Sequence, residues 1–335
     1  MFAIIPQMET GKLFELRRRT FDTPHFRGIE FIETEAKSII NKVPGNYLPF
    51  KWTINPYRGC THACKFCFAR STHTYMDMDA GKDFETKIVV KVNAGQLLRK
   101  ELRAKRWMGE GIAMGTATDP YQRAEGKYKL MQQIIGTLTE YRNPFSILTK
   151  GTLILRDLAL LQDAAAVTEV STAFSIGTLD DDVWRRSEPG TPHPRKRIDA
   201  VRKLNEAGIP CGVLVAPVLP GISDGKDQLR AVVAAAVEAG ATHVVPILLH
   251  LRPIVREVYM EWLQNEYPEL VTDYEAMYPR AYASKDKQAA LSKTVTDILA
   301  TVPRKKPSAP RPRLRDTHRP RLEQARLGAE QLKLV

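Results

Sequence analysis

The 335-residue chain has only four cysteines, Cys60, Cys64, Cys67 and Cys211, too few for a disulfide scaffold at this length. It has no apolar run of the ~18 to 20 residues that a membrane-spanning helix needs. Even residues 231–251 are broken by Glu238, Gly240, Thr242, His243 and Pro246. The opening MFAIIPQMETGK lacks a basic segment followed by an apolar core, so a secretory signal is not expected and a cytoplasmic location is. No solenoid period is present. Gly109, Gly111 and Gly115 miss the dinucleotide fingerprint because Met114 stands where it needs glycine. A composition of 43% hydrophobic and 26% charged residues excludes disordered and collagen-like chains.

Excess positive charge is present but unevenly placed. Lys and Arg number 50 against 38 Asp and Glu, a formal +12, yet residues 301–335 hold 10 basic and 3 acidic residues and so supply +7 of it. That tail also holds Pro303, Pro307, Pro310, Pro312 and Pro320, which favour an extended, solvated segment. It is a candidate for nucleic-acid contact through counterion release, against the blander reading of a solubilising end. Residues 1–47 carry a basic patch (Arg17, Arg18, Arg19) and few regular signals, and read as an N-terminal extension packed on the body.

From about residue 50 to 265 apolar runs alternate with helix-like windows. Strand-like runs fall at 51–55, 111–115, 145–148, 167–174, 212–218 and 242–249. Between them lie amphipathic windows at 94–106, 127–141, 153–163, 197–207 and 226–239, with Gly208 and Gly240 where helix C-caps are expected. Continuous apolar strands alternating with helices imply a parallel sheet covered by helices. The fold class is α/β, about six strand-helix units, too few for a closed eight-unit barrel and suited to a partial one. The expected organisation is an N-terminal extension at 1–47, a partial barrel at 48–267, a helical segment at 268–302 and a basic tail at 303–335. Ligands in such sheets bind beyond the carboxyl ends of the strands, and the cysteine loop directly follows the first strand.

Cys60, Cys64 and Cys67 are spaced by three and two residues, and Cys211 is far away. Three thiolates suit a four-iron cluster with one iron left open. The alternative, structural zinc, needs a fourth ligand, for which His62 and His73 are the candidates.

These residues, with the aromatic Phe68 after the third cysteine, resemble the radical S-adenosylmethionine (SAM) enzymes. The resemblance implies a (β/α)6 partial TIM-like barrel, a [4Fe-4S] cluster on Cys60, Cys64 and Cys67, and SAM on the open iron. It implies reductive cleavage of SAM to methionine and a 5'-deoxyadenosyl radical that abstracts hydrogen from a substrate. An electron donor such as a flavodoxin or ferredoxin is implied as partner. A narrower likeness to the spore photoproduct lyases rests on Asn55-Pro56-Tyr57-Arg58-Gly59-Cys60, Thr116-Ala117-Thr118-Asp119-Pro120-Tyr121-Gln122, Leu148-Thr149-Lys150, Phe174-Ser175-Ile176, Glu188-Pro189-Gly190-Thr191, Lys196-Arg197-Ile198 and Val215-Ala216-Pro217.

By position, Thr118, Asp119, Lys150, Ser175 and Glu188 correspond to polar groups that hold SAM. Phe66 and Phe68 would stack beside its adenine or wall off the cluster. Glu125 is a further candidate for its amino group or ribose. His250 and Arg252, after the sixth strand, are candidates for a substrate phosphate or carboxylate. Two departures separate the chain from the lyases. Thr116 occupies the place of their hydrogen-donating cysteine, and Phe68 that of a tyrosine used in radical return. A hydroxyl holds hydrogen more tightly than a thiol, and phenylalanine has no phenolic hydrogen. Repair of DNA by the lyase route is therefore an alternative, as is a non-catalytic protein binding zinc and nucleic acid. The leading expectation is a radical SAM enzyme acting on a nucleic acid or nucleotide. Cys211, at the amino end of a strand run, reads as a buried structural cysteine.

Overall fold

The apolar runs become strands, and others join them. The computed structural model describes residues 17–45 and 48–303. In chain order its strands are β1 (Arg17–Thr20), β2 (Glu30–Thr34), β3 (Ile40–Lys42), β4 (Trp52–Ile54), β5 (Tyr57–Arg58), β6 (Lys87–Lys91), β7 (Ile112–Met114), β8 (Phe145–Thr149), β9 (Val170–Ser175), β10 (Cys211–Val218) and β11 (Val244–Leu248).

The larger sheet has seven strands in the order β11-β10-β9-β8-β7-β4-β3. From β4 to β11 every pairing is parallel, and β3 adds an antiparallel edge against β4. Helices Leu130–Glu140, Leu158–Val167, Pro194–Glu206 and Lys226–Glu238 return the chain between successive strands. This is the expected six-unit partial barrel, open because β11 and β3 remain edges. Pro246 lies on the β11 edge, the sheet position that tolerates a residue without an N–H. Continuous apolar runs suit strands buried on both faces: Ile112, Met114, Ile147, Phe174, Val213 and Val215 are all buried in one core with Ile134, Ile135 and Leu138 from the helix Leu130–Glu140. No helix among the described residues is long and apolar enough to cross a membrane.

The N-terminal segment is more ordered than its sequence announces. A second sheet of four strands runs β1-β2-β6-β5, with β2 and β6 parallel and both outer pairs antiparallel. The expected basic patch is largely neutralised there, since Arg18 pairs with Glu30 at 3.0 Å and Arg19 with Glu33 at 2.8 Å. Other boundaries shift. The helix window at 127–141 is interrupted at Lys129, whose φ of +52° separates Arg123–Tyr128 from Leu130–Glu140. Val167 ends a helix instead of opening a strand, because the chain turns before Val170. The window at 153–163 begins as a 3-10 turn, Thr152–Asp157. Residues 268–302 divide into Pro268–Leu270, Val271–Met277 and Lys285–Thr301. Gly208 and Gly240 do end helices, with φ of +81° and +78°. The basic tail beyond residue 303 lies outside the described residues.

Between β4 and β5 stand only Asn55 and Pro56, so the chain changes sheets there and enters the cysteine loop from the junction of the two.

Candidate functional site

The cysteine loop leaves β5 through Gly59, whose φ is +78° and whose Cβ, were there one, would stand 2.8 Å from both the Lys87 carbonyl oxygen and His73 Cε1. Glycine is needed here on both counts. The Cys60 N–H donates to the Phe84 carbonyl (2.9 Å), and short turns follow, from Ala63 N–H to Cys60 O (3.2 Å) and Cys67 N–H to Cys64 O (3.3 Å). Arg70, with no exposed surface, clamps the loop. It donates twice to the Cys64 carbonyl (3.2 and 2.9 Å), to the Ala80 and Gly81 carbonyls (both 2.9 Å) and to Glu85 (2.5 Å). Gln122 ties the loop to the second barrel unit, accepting from Thr61 N–H (3.0 Å) and donating to Gly59 O (2.8 Å).

Cys60 and Cys64 are buried, Cys67 half-buried, and all are free thiols. Burial pushes each thiol up from its ordinary value. For Cys60, Asp119 and the other two thiols add to the rise. For Cys64, Glu188 adds to it while Lys150 and Arg197 oppose it. The three sulfurs thus feel one another's charge, and as thiolates they need a cation among them. An iron-sulfur cluster fits this donor set, because it offers each thiolate a separate iron. One zinc ion would need every ligand within ~2.3 Å of one point. Among the described residues no three His, Cys, Asp or Glu side chains are grouped to hold a single ion. His62 Nδ1 lies 3.4 Å from Asp119 and His73 Nε2 2.9 Å from the Lys87 carbonyl, so both suggested fourth zinc ligands have other partners.

Polar groups from the strand ends surround the thiols. Lys150, just past β8, donates to Ser175 Oγ at the end of β9 (3.1 Å) and to Glu188 Oε1 (2.5 Å), and its Nζ lies 5.3 Å from the centre of the Phe66 ring. Glu188 Oε2 accepts from Arg197 Nη2 (2.5 Å). Arg197 also donates to Ser175 O (3.0 Å), Thr191 Oγ1 (2.8 Å) and Pro192 O (2.8 Å). Burial would raise the Glu188 pKa, but the charges of Arg197 and Lys150 and their hydrogen bonds pull it down to about 2. Asp119 likewise resists the upward push of burial and lies below the usual carboxylate range, held by His62, the Lys150 N–H (2.6 Å) and Thr149 Oγ1 (2.6 Å). The Glu188 loop docks on the cysteine loop itself. Lys65 N–H donates to Ser187 O (2.9 Å), Gly190 N–H donates to His62 O (3.0 Å), and a Cβ on Gly190 would lie 2.1 Å from Thr61 O.

Eight of the sequence-derived residues therefore form one neighbourhood: Cys60, Cys64, Cys67, Phe66, Asp119, Lys150, Ser175 and Glu188. Thr118 is buried nearby but spends its hydroxyl on the Tyr57 carbonyl (3.0 Å). Phe68 is 51% exposed at the start of the turn after Cys67. Thr116 lies just past the end of β7, partly buried. Glu125 is absorbed elsewhere, accepting from the Tyr57 hydroxyl (2.5 Å) and Arg156 (2.6 Å). His250 and Arg252 follow β11 and engage Tyr282, edge-on to the His250 ring at 4.6 Å and hydrogen-bonded to Arg252 at 3.1 Å. Among the described residues no hydrogen bond or ion pair joins them to the Lys150 group. Cys211 is fully buried at the amino end of β10, its thiol pushed by burial up to about 12. Sequence reasoning gave no role to Arg70 or Arg197, since an arginine in a chain with 50 basic residues reads as surface.

Comparison with known proteins bears on the family and the fold. An uncharacterized protein of Mycobacterium tuberculosis is 45% identical over 299 residues, covering 88% of each chain. A radical SAM Nα-GlyT isomerase of Pseudomonas phage M6 is 29% identical over 192 residues, 57% of this chain and 38% of its own. Among solved structures, a double mutant of spore photoproduct lyase with bound AdoMet and dinucleoside spore photoproduct superposes with a TM-score of 0.62 at 16% identity, covering 85% of this chain and 84% of that one. The family model of the radical SAM superfamily matches residues 54–232, more than half of the chain and the whole of the site, and with the three-cysteine loop on the carboxyl edge of a six-unit partial barrel it places this chain in the radical SAM superfamily.

Proposed function

We propose that the protein is an enzyme that holds a [4Fe-4S] cluster on Cys60, Cys64 and Cys67 and SAM beside it, and that it acts on a nucleic acid or nucleotide. The observation that carries the reading is the convergence of three cysteine thiols, two of them buried, with Lys150, Asp119 and Glu188 at the strand ends. When bound, the reduced cluster and SAM supply a 5'-deoxyadenosyl radical for hydrogen abstraction. The chain's own residues orient and shield. Lys150 offers a positive charge for the SAM carboxylate, and Ser175, Asp119 and Thr118 offer polar contacts to its methionyl end or ribose. Phe66 walls the site beneath Lys150, and Phe68 offers an exposed ring to adenine. Arg70 fixes the loop so that the three sulfurs are presented together.

The substrate reading is supported by kinship of fold with a lyase solved with a dinucleoside lesion and by the basic balance of the chain. His250, Arg252 and Thr116 lie on the same carboxyl edge as candidates to meet substrate. A flavodoxin- or ferredoxin-type carrier is the proposed electron source, and the basic tail a proposed nucleic-acid contact. Thr116 favours a reaction other than the lyase one, because its hydroxyl is a poor hydrogen-atom donor.

Anaerobic reconstitution, iron and sulfide analysis, and dithionite reduction with SAM test the proposal. Iron and sulfide near four each per chain and release of 5'-deoxyadenosine are expected. Stoichiometric zinc without 5'-deoxyadenosine would instead establish the zinc-binding alternative. Label transfer between SAM-derived deoxyadenosine and deuterated oligonucleotides or nucleotides then tests the substrate class.

A further inference from the structure

Arg197 carries an unassigned role. It is fully buried on the helix Pro194–Glu206 and spends four of its hydrogen bonds inside the protein, so it cannot itself reach a ligand. Two of its partners, Glu188 and Ser175, are also partners of Lys150. It takes Glu188 Oε2 while Lys150 takes Oε1, and it takes the Ser175 carbonyl while Lys150 takes the Ser175 hydroxyl. Lys150 has three N–H donors, of which Glu188 and Ser175 use two. Two cations share one carboxylate, so the three groups carry a formal +1 between them. Asp119 keeps its own negative charge, but its oxygens bond Thr149, the Lys150 and Tyr121 backbone N–H groups and His62, not the Lys150 ammonium. A largely buried ammonium with a donor to spare, its counterion shared with a second cation, suits one more carboxylate.

We propose that Arg197 is a positioning residue: by holding Glu188, it leaves Lys150 free to take the carboxylate of SAM. Without Arg197, Glu188 and Lys150 close into a neutral pair, and an entering carboxylate must compete with Glu188 for the same ammonium. Glu188 is then a counterion acting through Lys150, not a direct ligand of SAM. The inference rests on the SAM reading above and adds how the carboxylate is selected.

The test compares binding of SAM with that of decarboxylated SAM, which keeps adenosine, sulfonium and amine but lacks the carboxylate. Equilibrium dialysis of anaerobically reconstituted full-length wild type, Arg197→Met, Arg197→Lys and Glu188→Gln gives the affinity ratio for each. Iron and sulfide content confirm that every sample carries its cluster. Loosened packing weakens both ligands alike, so the ratio isolates the charge effect. Wild type is expected to prefer SAM by at least about tenfold, the scale of one charge-assisted hydrogen bond. Arg197→Met is expected to lower the ratio about tenfold, Arg197→Lys to keep most of it, and Glu188→Gln to raise it. An unchanged ratio in Arg197→Met overturns the role, and so does a ratio at or below wild type in Glu188→Gln, which stands alone if Arg197→Met does not fold. Cluster-loaded wild type that binds neither compound overturns the SAM reading itself, a result distinct from loss of the Arg197 effect alone.

Discussion

Replacing Gly190 by alanine puts the contact between the Glu188 loop and the cysteine loop to the test. The added Cβ would stand 2.1 Å from the Thr61 carbonyl oxygen and 2.9 Å from the His62 Cα and carbonyl carbon, against a floor of 3.0 Å for real Cβ atoms. Its neighbours are backbone, so no side chain can swing aside, and one loop must move by about 1 Å. Overpacking of this kind costs about 1 to 3 kcal/mol, a fall of several °C in Tm. The movement also strains the Gly190 N–H bond to His62 O (3.0 Å) and displaces Glu188 from the surroundings of Cys64. Gly136→Ala is the matched control. Gly136 is exposed inside the helix Leu130–Glu140, and a Cβ added there would meet nothing within 4 Å, so the same methyl should stabilise by about 1 kcal/mol through helix propensity. Thermal unfolding of the two variants should move in opposite directions, and iron retention after reconstitution should fall in Gly190→Ala alone. Shifts of the same sign, or full iron retention in Gly190→Ala, would refute the close-packed coupling of the two loops.

Cys64→Ala should abolish iron retention and Cys211→Ala should leave it intact, measured as iron per chain; loss in the second would make Cys211 a ligand. Arg70→Ala should release the Cys64, Ala80 and Gly81 carbonyls at once and lower cluster retention severalfold while far-UV circular dichroism keeps its shape. The Cys211 thiol is raised by burial from 9.0 to about 12, so the folded state holds its proton more tightly than the unfolded chain. That contribution is complete below about pH 9 and declines as pH rises towards 12, by a few kcal/mol in all. Chemical denaturation of Cys211→Ala should therefore show a flatter decline across that alkaline range than wild type; parallel curves would count against the buried thiol.

The six barrel strands were legible because each lies in a largely apolar run, buried on both faces in β7 and most of β10, a pattern that survives without knowledge of neighbours. The cysteine spacing was legible because metal chemistry constrains a few adjacent residues. The second sheet was not. β1 is Arg-Arg-Arg-Thr with every residue exposed, and β5 is two residues long. Both are strands only through partners, Arg17–Thr20 through Glu30–Thr34 and Tyr57–Arg58 through β6. The break at Lys129 carries no glycine or proline to announce it. Arg70 and Arg197 were given no role for a different reason. Their roles depend on carbonyls and carboxylates that turns of the chain bring back to them without regular spacing, as Ala80 and Glu85 are brought to Arg70. Asp180, by contrast, caps its helix through the Asp182 and Val183 N–H groups, as a local acid run suggests.

The change of sheets at Asn55 and Pro56 ties the cysteine loop to both sheets. β6 completes its sheet only by reaching back to β2, whose register joins Glu30 to Lys87 and Thr34 to Lys91, and β5 then pairs with the other side of β6. The loop that presents the three sulfurs is thus anchored by strand pairings that are nonlocal in sequence. The three thiols therefore depend on residues far from them in the chain: a substitution that loosens β2 against β6 is expected to reach the cysteine loop through β5, although it touches none of the sulfurs.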